Sequence, residues 1–124
     1  MDYQVARKIL IIDDEIDICY LLSGLLRRHE FVPKYVTSIS DASSVIARDR
    51  PSVILLDNHL ADGLGIDFID DIKSFHPAIK VVVITAYDDY EVKEKAFKAG
   101  ADAFLSKPFS KDALIGVVLR LISP

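Results

Sequence analysis

The amino-acid sequence predicts an α/β fold, a doubly wound three-layer sandwich in which a five-stranded parallel sheet is covered by five helices. Three observations carry this expectation. Residues 9–12, 53–56 and 81–84 are unbroken aliphatic runs without polar alternation, as in strands buried on both faces. Between the runs, apolar residues recur at three- and four-residue steps, the spacing of one helical face. Each run also stops abruptly on a polar residue: Asp13, Asp57 or Thr85.

The composition bounds the possibilities. At 124 residues the chain is expected to form a single domain, 1–124, with no output domain, long enough to build a core without disulfides or structural metals. Its 51% hydrophobic and 27% charged residues are those of a soluble globular protein. A net charge of -4 argues against nonspecific nucleic-acid binding by this domain. The single cysteine, Cys19, rules out an internal disulfide and reads as a small apolar filler in a helix. The N-terminal apolar run is too short for a signal peptide or membrane span, so a cytoplasmic location without membrane contact is expected.

The first strand is placed at 8–13, where Lys8 and four aliphatics lead to Asp13 and Asp14. A helix over 15–29 carries Ile18, Leu21, Leu22, Leu25 and Leu26 as its apolar side, with Asp14 or Glu15 as its cap and Arg27 and Arg28 at its negative end. The second strand, 33–37, is less apolar and is expected nearer an edge. Ser40 and Asp41 open a helix lined by Ala42, Val45, Ile46 and Ala47, which must end before Pro51.

The third strand, 52–57, leads into a loop containing Gly63 and Gly65, then a helix bearing Ile66, Phe68, Ile69 and Ile72 that His76-Pro77 terminates. The fourth strand, 79–85, ends on Thr85 and precedes a charged helix, 87–99, with Val92, Ala96 and Phe97 inward and Gly100 as its C-terminal cap. A short fifth strand, 102–106, ends at Lys107-Pro108. Ser110 caps the last helix, which runs to about Ile122 and buries Leu114, Val117, Val118 and Leu121.

If these strands are parallel, Asp13, Asp14, Asp57, Thr85 and Lys107 emerge on one edge of the sheet, in the crevice where open α/β sheets bind ligands. Asp57 alone would be explained equally well as a turn residue. The coincidence of three carboxylates, a hydroxyl and an ammonium is harder to attribute to capping. Two carboxylates about 4 Å apart repel by roughly 1 kcal/mol in bulk water and about 4 kcal/mol at an effective dielectric of about 20. One lysine balances three acids poorly, so a divalent cation is implied, and an all-oxygen donor set suits Mg²⁺ or Mn²⁺. No histidine or cysteine cluster points to zinc. Such a cation beside a mobile ammonium suits phosphoryl transfer, and a carboxylate there can serve as the nucleophile.

Asp13-Asp14, Asp57 with Leu60, Asp62 and Gly65 behind it, Thr85-Ala86, and Phe104-Leu105-Ser106-Lys107-Pro108 stand in the order and spacing of a known family. Across essentially the whole chain the sequence resembles the receiver domains of two-component response regulators. The resemblance implies a flavodoxin-like sheet of order 2-1-3-4-5. It also implies a phosphoprotein of signal transduction or phosphorelay, in which Asp57 accepts a phosphoryl group from a sensor histidine kinase, a histidine phosphotransfer protein or a small phosphodonor. Asp14 would bind the metal directly and Asp13 chiefly through water, with Asp57 and the backbone carbonyl of His59 as further ligands. Lys107 would pair with phosphoryl oxygens across a cis peptide to Pro108. Thr85 would swing toward the phosphate and Phe104 would turn inward behind it.

Some positions depart from the family pattern or vary within it. Ala61 stands where proline is common, and the switch aromatic is Phe104, which has no hydroxyl to report the state. His59 and Tyr87 occupy the positions that flank the phosphate and influence its hydrolysis, although His59 reads equally well as a solvent-facing loop residue. The acidic Asp13-Asp14-Glu15 turn excludes a nucleotide P-loop and a flavin phosphate loop, and Asp57-Asn58-His59 lacks the acid pair of an aspartyl-phosphate phosphatase. The remaining alternative is a pseudo-receiver that acts only as an interaction or dimerisation module. Output would be read from helix 4, strand 5 and helix 5, with Tyr90, Lys98 and the surplus aliphatics Ile115, Leu119 and Ile122 as candidates for a homodimer, output-domain or downstream-protein contact.

Overall fold

A computed structural model describes residues 7–86 and 90–123. In chain order the elements are β1 (Lys8–Ile12), α1 (Ile16–Arg28), β2 (Val32–Val36), α2 (Ile39–Asp49), β3 (Val53–Asp57), α3 (Gly65–Phe75), β4 (Lys80–Thr85), α4 (Tyr90–Ala99), β5 (Ala103–Ser106) and α5 (Lys111–Ile122). The strands form one five-stranded sheet in the order β2-β1-β3-β4-β5, with every neighbouring pair parallel. The doubly wound sandwich and its strand order are as expected, and the less apolar β2 lies at an edge.

The aliphatic runs explain this architecture. Alternate residues of a strand point to opposite faces, so a run without polar residues supplies two cores at once. Ile9, Ile11, Val53 and Leu55 pack on one side with Leu22 and Leu26 of α1 and Leu114 and Val118 of α5. Leu10, Ile12, Ile54 and Leu56 pack on the other with Ile46 of α2, Ile69 and Ile72 of α3 and Ala96 of α4. Each aliphatic side chain buried in this way contributes roughly 1.5–3 kcal/mol, which is why the three central strands form a stiff platform.

Several local expectations are corrected by this packing. Leu21 is 68% exposed, because the buried stripe of α1 runs through Cys19, Leu22, Leu25 and Leu26 and the neighbouring position is rotated off it. Neither Asp14 nor Glu15 caps α1 with its side chain; instead Asp13 Oδ1 accepts from the Glu15 N–H at 2.9 Å. The second helix begins at Ile39, before Ser40 and Asp41, because Ser38 is the cap and its Oγ accepts from the Asp41 N–H at 3.2 Å. Ala47 on α2 and Phe97 on α4 are exposed.

The glycine loop after β3 is ordered as a small antiparallel ladder pairing His59 with Leu64 and Leu60 with Gly63. Gly100 closes α4 with φ 115°, a conformation that disfavours a side chain, and Ala101 N–H reaches back to the Ala96 carbonyl at 3.0 Å. Ser110 caps α5 as expected, accepting from Ala113 N–H at 3.0 Å. In α5, Leu114, Ile115 and Val118 are buried, Val117 and Leu121 are half-buried, and Leu119 is exposed. Tyr87 and the expected first turn of the fourth helix lie outside the described residues.

Candidate functional site

Because all five strands run in one direction, the residues that close them share an edge. Asp13 follows β1 and is held on both sides of its side chain: Oδ1 accepts from the Glu15 N–H, and Oδ2 lies 3.2 Å from Lys107 Nζ. Its backbone carbonyl accepts from Cys19 Sγ at 3.3 Å. Burial and the nearby Asp13 and Asp14 push the Cys19 thiol up to about 11, leaving it an inert filler of the core.

Asp57 is the last residue of β3 and is only 6% exposed. Carboxylate oxygens of Asp13, Asp14 and Asp57 all lie within 4.8 Å of one another, with Asp13 and Asp57 buried and Asp14 exposed at the rim. Burial, and then the charge of Asp13, pushes the Asp57 carboxyl up to about 6, while Lys107 and the His59 backbone N–H pull in the opposite direction.

Lys107 Nζ is 3.6 Å from Asp57 Oδ1 and 3.6 Å from Glu15 Oε1. Burial works against its charge, but Asp13, Asp57 and Glu15 more than offset this and hold its pKa above the ordinary lysine value. The lysine is aimed by β5, whose Ser106 pairs with Thr85, and by the bond from Lys107 N–H to the Thr85 carbonyl at 2.8 Å. A cis peptide joins Lys107 to Pro108. Thr85 is fully buried at the end of β4.

The sequence-predicted acids, Thr85 and Lys107 therefore converge. Phe104 lies half-buried on β5, on the sheet face shared with α3 and α4, opposite Val83. His59 is exposed in the loop ladder, beside Asp57 through its backbone N–H.

Two further residues shape the site: Asn58, and Asp62, which stands in the family pattern behind Asp57 without a role assigned to it there. Asn58 is buried directly behind Asp57, and its Oδ1 accepts from the Ile66 N–H at 3.0 Å while its carbonyl accepts from Gly65 at 2.8 Å. Asn58 thus ties the start of α3 to the end of β3. Asp62 reaches across to α2, its two oxygens accepting from the Ile39 and Ser40 N–H groups at 3.0 and 3.1 Å, and these bonds hold its carboxyl below the usual range. Gly65 is required where it stands, since a Cβ would collide with the Asp57 carbonyl and the Leu56 side chain. The signals were an Asn immediately behind a strand and an Asp inside a turn, residue types common in both places for other reasons.

The donor set fits a hard divalent cation. Three carboxylates offer only oxygen, at mutual distances one ion can span, and a single lysine leaves them undercompensated.

A family model described as the response regulator receiver domain matches residues 9–119. The chain belongs to this family. Among curated receiver-containing proteins, it is 36% identical over 121 residues to response regulator protein PilR of Pseudomonas aeruginosa, covering 95% of this chain and 27% of that protein. It is 34% identical over 125 residues to the phosphate regulon transcriptional regulatory protein PhoB of Escherichia coli, covering 97% of this chain and 55% of the relative. The chain thus spans between about a quarter and about half of these regulators.

Among solved structures, the beryllofluoride-activated NtrC4 receiver domain superposes with a TM-score of 0.90 at 34% identity, over 94% of this chain and 96% of the other. The BeF3-activated DrrB receiver domain gives 0.86 at 30% identity, over 93% and 96%. Among the described residues, no helix of this receiver domain is long and apolar enough to cross a membrane.

Proposed function

We propose that residues 1–124 form one receiver domain that works as a phosphorylatable signalling switch, with Asp57 as the phosphoacceptor. The observation that carries this reading is the placement of Asp57: a nearly buried carboxylate, clustered with two others, with Lys107 Nζ at 3.6 Å. A carboxylate raised to about 6 is still mostly ionised at neutral pH and so remains a competent nucleophile.

In this reading a carboxylate oxygen of Asp57 attacks the phosphorus of a phosphohistidine on a sensor kinase or phosphotransfer protein, or of a small phosphodonor. The bond from phosphorus to the donor atom breaks, and its electron pair leaves with the donor. The domain catalyses only its own phosphorylation and dephosphorylation. Asp13, Asp14, Asp57 and the His59 carbonyl would hold Mg²⁺ or Mn²⁺, which supplies positive charge against the developing phosphoryl oxygens. Lys107 is already poised between Asp13 and Asp57 and re-pairs with a phosphoryl oxygen. Thr85 would turn its hydroxyl toward the same group, and Phe104 would follow into the space behind it. His59 would restrict the water that hydrolyses the acyl phosphate, together with Tyr87.

Phosphorylation adds nearly two negative charges beside a buried acid cluster, and α4, β5 and α5 carry the consequence outward. Tyr90 on α4 is 78% exposed, with Phe97 and Leu119 also uncovered, a surface suited to a homodimer, output domain or downstream protein. In this reading the protein is cytoplasmic and the domain itself does not bind nucleic acid. The test is incubation with acetyl phosphate and Mg²⁺ followed by intact mass measurement. A single phosphoryl adduct on the wild-type chain, absent from Asp57→Asn, is expected. No adduct on the wild type would overturn the switch, and an adduct on the variant would move the acceptor elsewhere.

A further inference from the structure

A parallel sheet has two unlike edges, and the edge opposite the acid cluster is where the strands begin. Here β4 opens on Lys80 and Arg50 caps α2 three residues before β3, while the acids at this end, Asp49 and Asp102, are already paired with Lys34 and Lys73. Between these two strand starts and the end of α5 lies an open cleft of about 490 Å³, lined by Arg50, Lys80, Phe75, Pro77, Leu121 and Ile122 among others. A second cleft of about 450 Å³ runs up between α2 and α3 over Ile46, Ala47 and Phe68. Phe75 and His76 line both, so the two clefts flank the Phe75 ring. That ring is 78% exposed.

The charge of the groove stands out against the chain's net -4. Among the described residues the first cleft has no carboxylate side chain in its lining, and neither Arg50 nor Lys80 makes an ion pair. The second cleft is mostly apolar, with Ser43, His76 and the acidic Asp71 among its lining. We infer that this groove docks an acidic peptide segment of a partner protein, with carboxylates over Arg50 and Lys80 and an aliphatic or aromatic anchor beside Phe75. Two open clefts on either side of one ring suit an extended chain better than a compact ligand. An exposed aromatic flanked by two clefts is a residue type enriched in protein contacts. The groove is at the far end of the sheet from Asp57, so docking there makes no contact with the phosphoacceptor.

The probe is a fluorescein-labelled peptide of alternating glutamate and leucine with one central phenylalanine, titrated against the full chain by fluorescence anisotropy. The control is the same peptide with lysine for glutamate. The acidic peptide is expected to bind, with affinity at least tenfold weaker for Phe75→Ala and for Arg50→Glu/Lys80→Glu, unchanged for Asp57→Asn, and undetectable for the lysine peptide. Thermal melts and acetyl-phosphate labelling of the groove variants verify that each still folds. Failure of the acidic peptide to bind, equal binding of the lysine peptide, or indifference to both groove variants overturns the inference. So does sedimentation showing a dimer that Phe75→Ala dissociates, since the groove would then be covered by a second copy of this chain.

Discussion

Lys107 Nζ sits 3.2 Å from Asp13 Oδ2, a contact that ties the end of β5 to the end of β1 across the full width of the acid cluster. Both side chains are largely buried. Removing one partner of such a pair leaves the other charge without compensation. Lys107→Met is therefore expected to destabilise the metal-free chain by about 1–3 kcal/mol at pH 7, the range for a buried hydrogen-bonding group left unsatisfied. Urea denaturation in the presence of a chelator measures this, and added Mg²⁺ should recover part of the loss.

The raised Asp57 carboxyl makes stability depend on pH in a definite direction. Its ordinary value is 3.8 and its folded value about 6, so between them the folded state binds the proton and the unfolded state does not. Its contribution is fully present below 3.8 and is lost as pH rises through about 6. At about 1.4 kcal/mol per pH unit the loss amounts to at most about 3 kcal/mol. Asp57→Asn removes the ionisation, so in chelator it should melt higher than wild type at pH 7 and should lack that part of the pH dependence. Thermal melts from pH 4 to pH 8 check both, and equal melting of the two proteins at pH 7 would contradict the electrostatic account.

Gly65 gives the most local prediction. A methyl group there meets backbone atoms of Asp57 and Asn58 that cannot yield without moving the nucleophile's strand end. Gly65→Ala should cost about 2 kcal/mol or more, a large effect for one added methyl and characteristic of overpacking at a constrained site. It should also slow phosphoryl uptake from acetyl phosphate even where the chain remains folded. Intact mass measured against time separates the two effects.

Asn58 and Ser38 should lower stability through their helices. Asn58→Ala leaves the half-buried Ile66 N–H without its 3.0 Å partner and should cost about 1–2 kcal/mol. Ser38→Ala removes the α2 cap and should cost about 1 kcal/mol. Asp62→Ala should accelerate amide exchange at Ile39 and Ser40, whose N–H groups it accepts, while leaving the first turn of α5 unchanged. Hydrogen exchange followed by NMR reads these amides individually.

The sequence by itself determined the layers, the strand order's raw material and the chemistry of the edge. Unbroken aliphatic runs such as Val53 to Leu56 admit one environment, burial on both faces, and a polar residue closing each run has nowhere to go but the crevice. That is why Asp13, Asp57, Thr85 and Lys107 fall into one group from the strand ends alone. Periodicity was less decisive where a helix is apolar on more than one side. Leu21 and Leu22 are equally hydrophobic, and only the position of α1 on the sheet put one outside and the other in the core.

Tertiary structure alone decided the supporting contacts. Asn58 holding Ile66 and Asp62 reaching from one loop to the start of α2 depend on where two backbones meet, which no residue type announces. The same holds for the clefts on either side of Phe75, assembled from α2, α3, β4 and α5. Burial patterns are properties of a segment and can be read along it; hydrogen bonds and clefts between distant segments are properties of the packing and exist only once the sheet has set the distances.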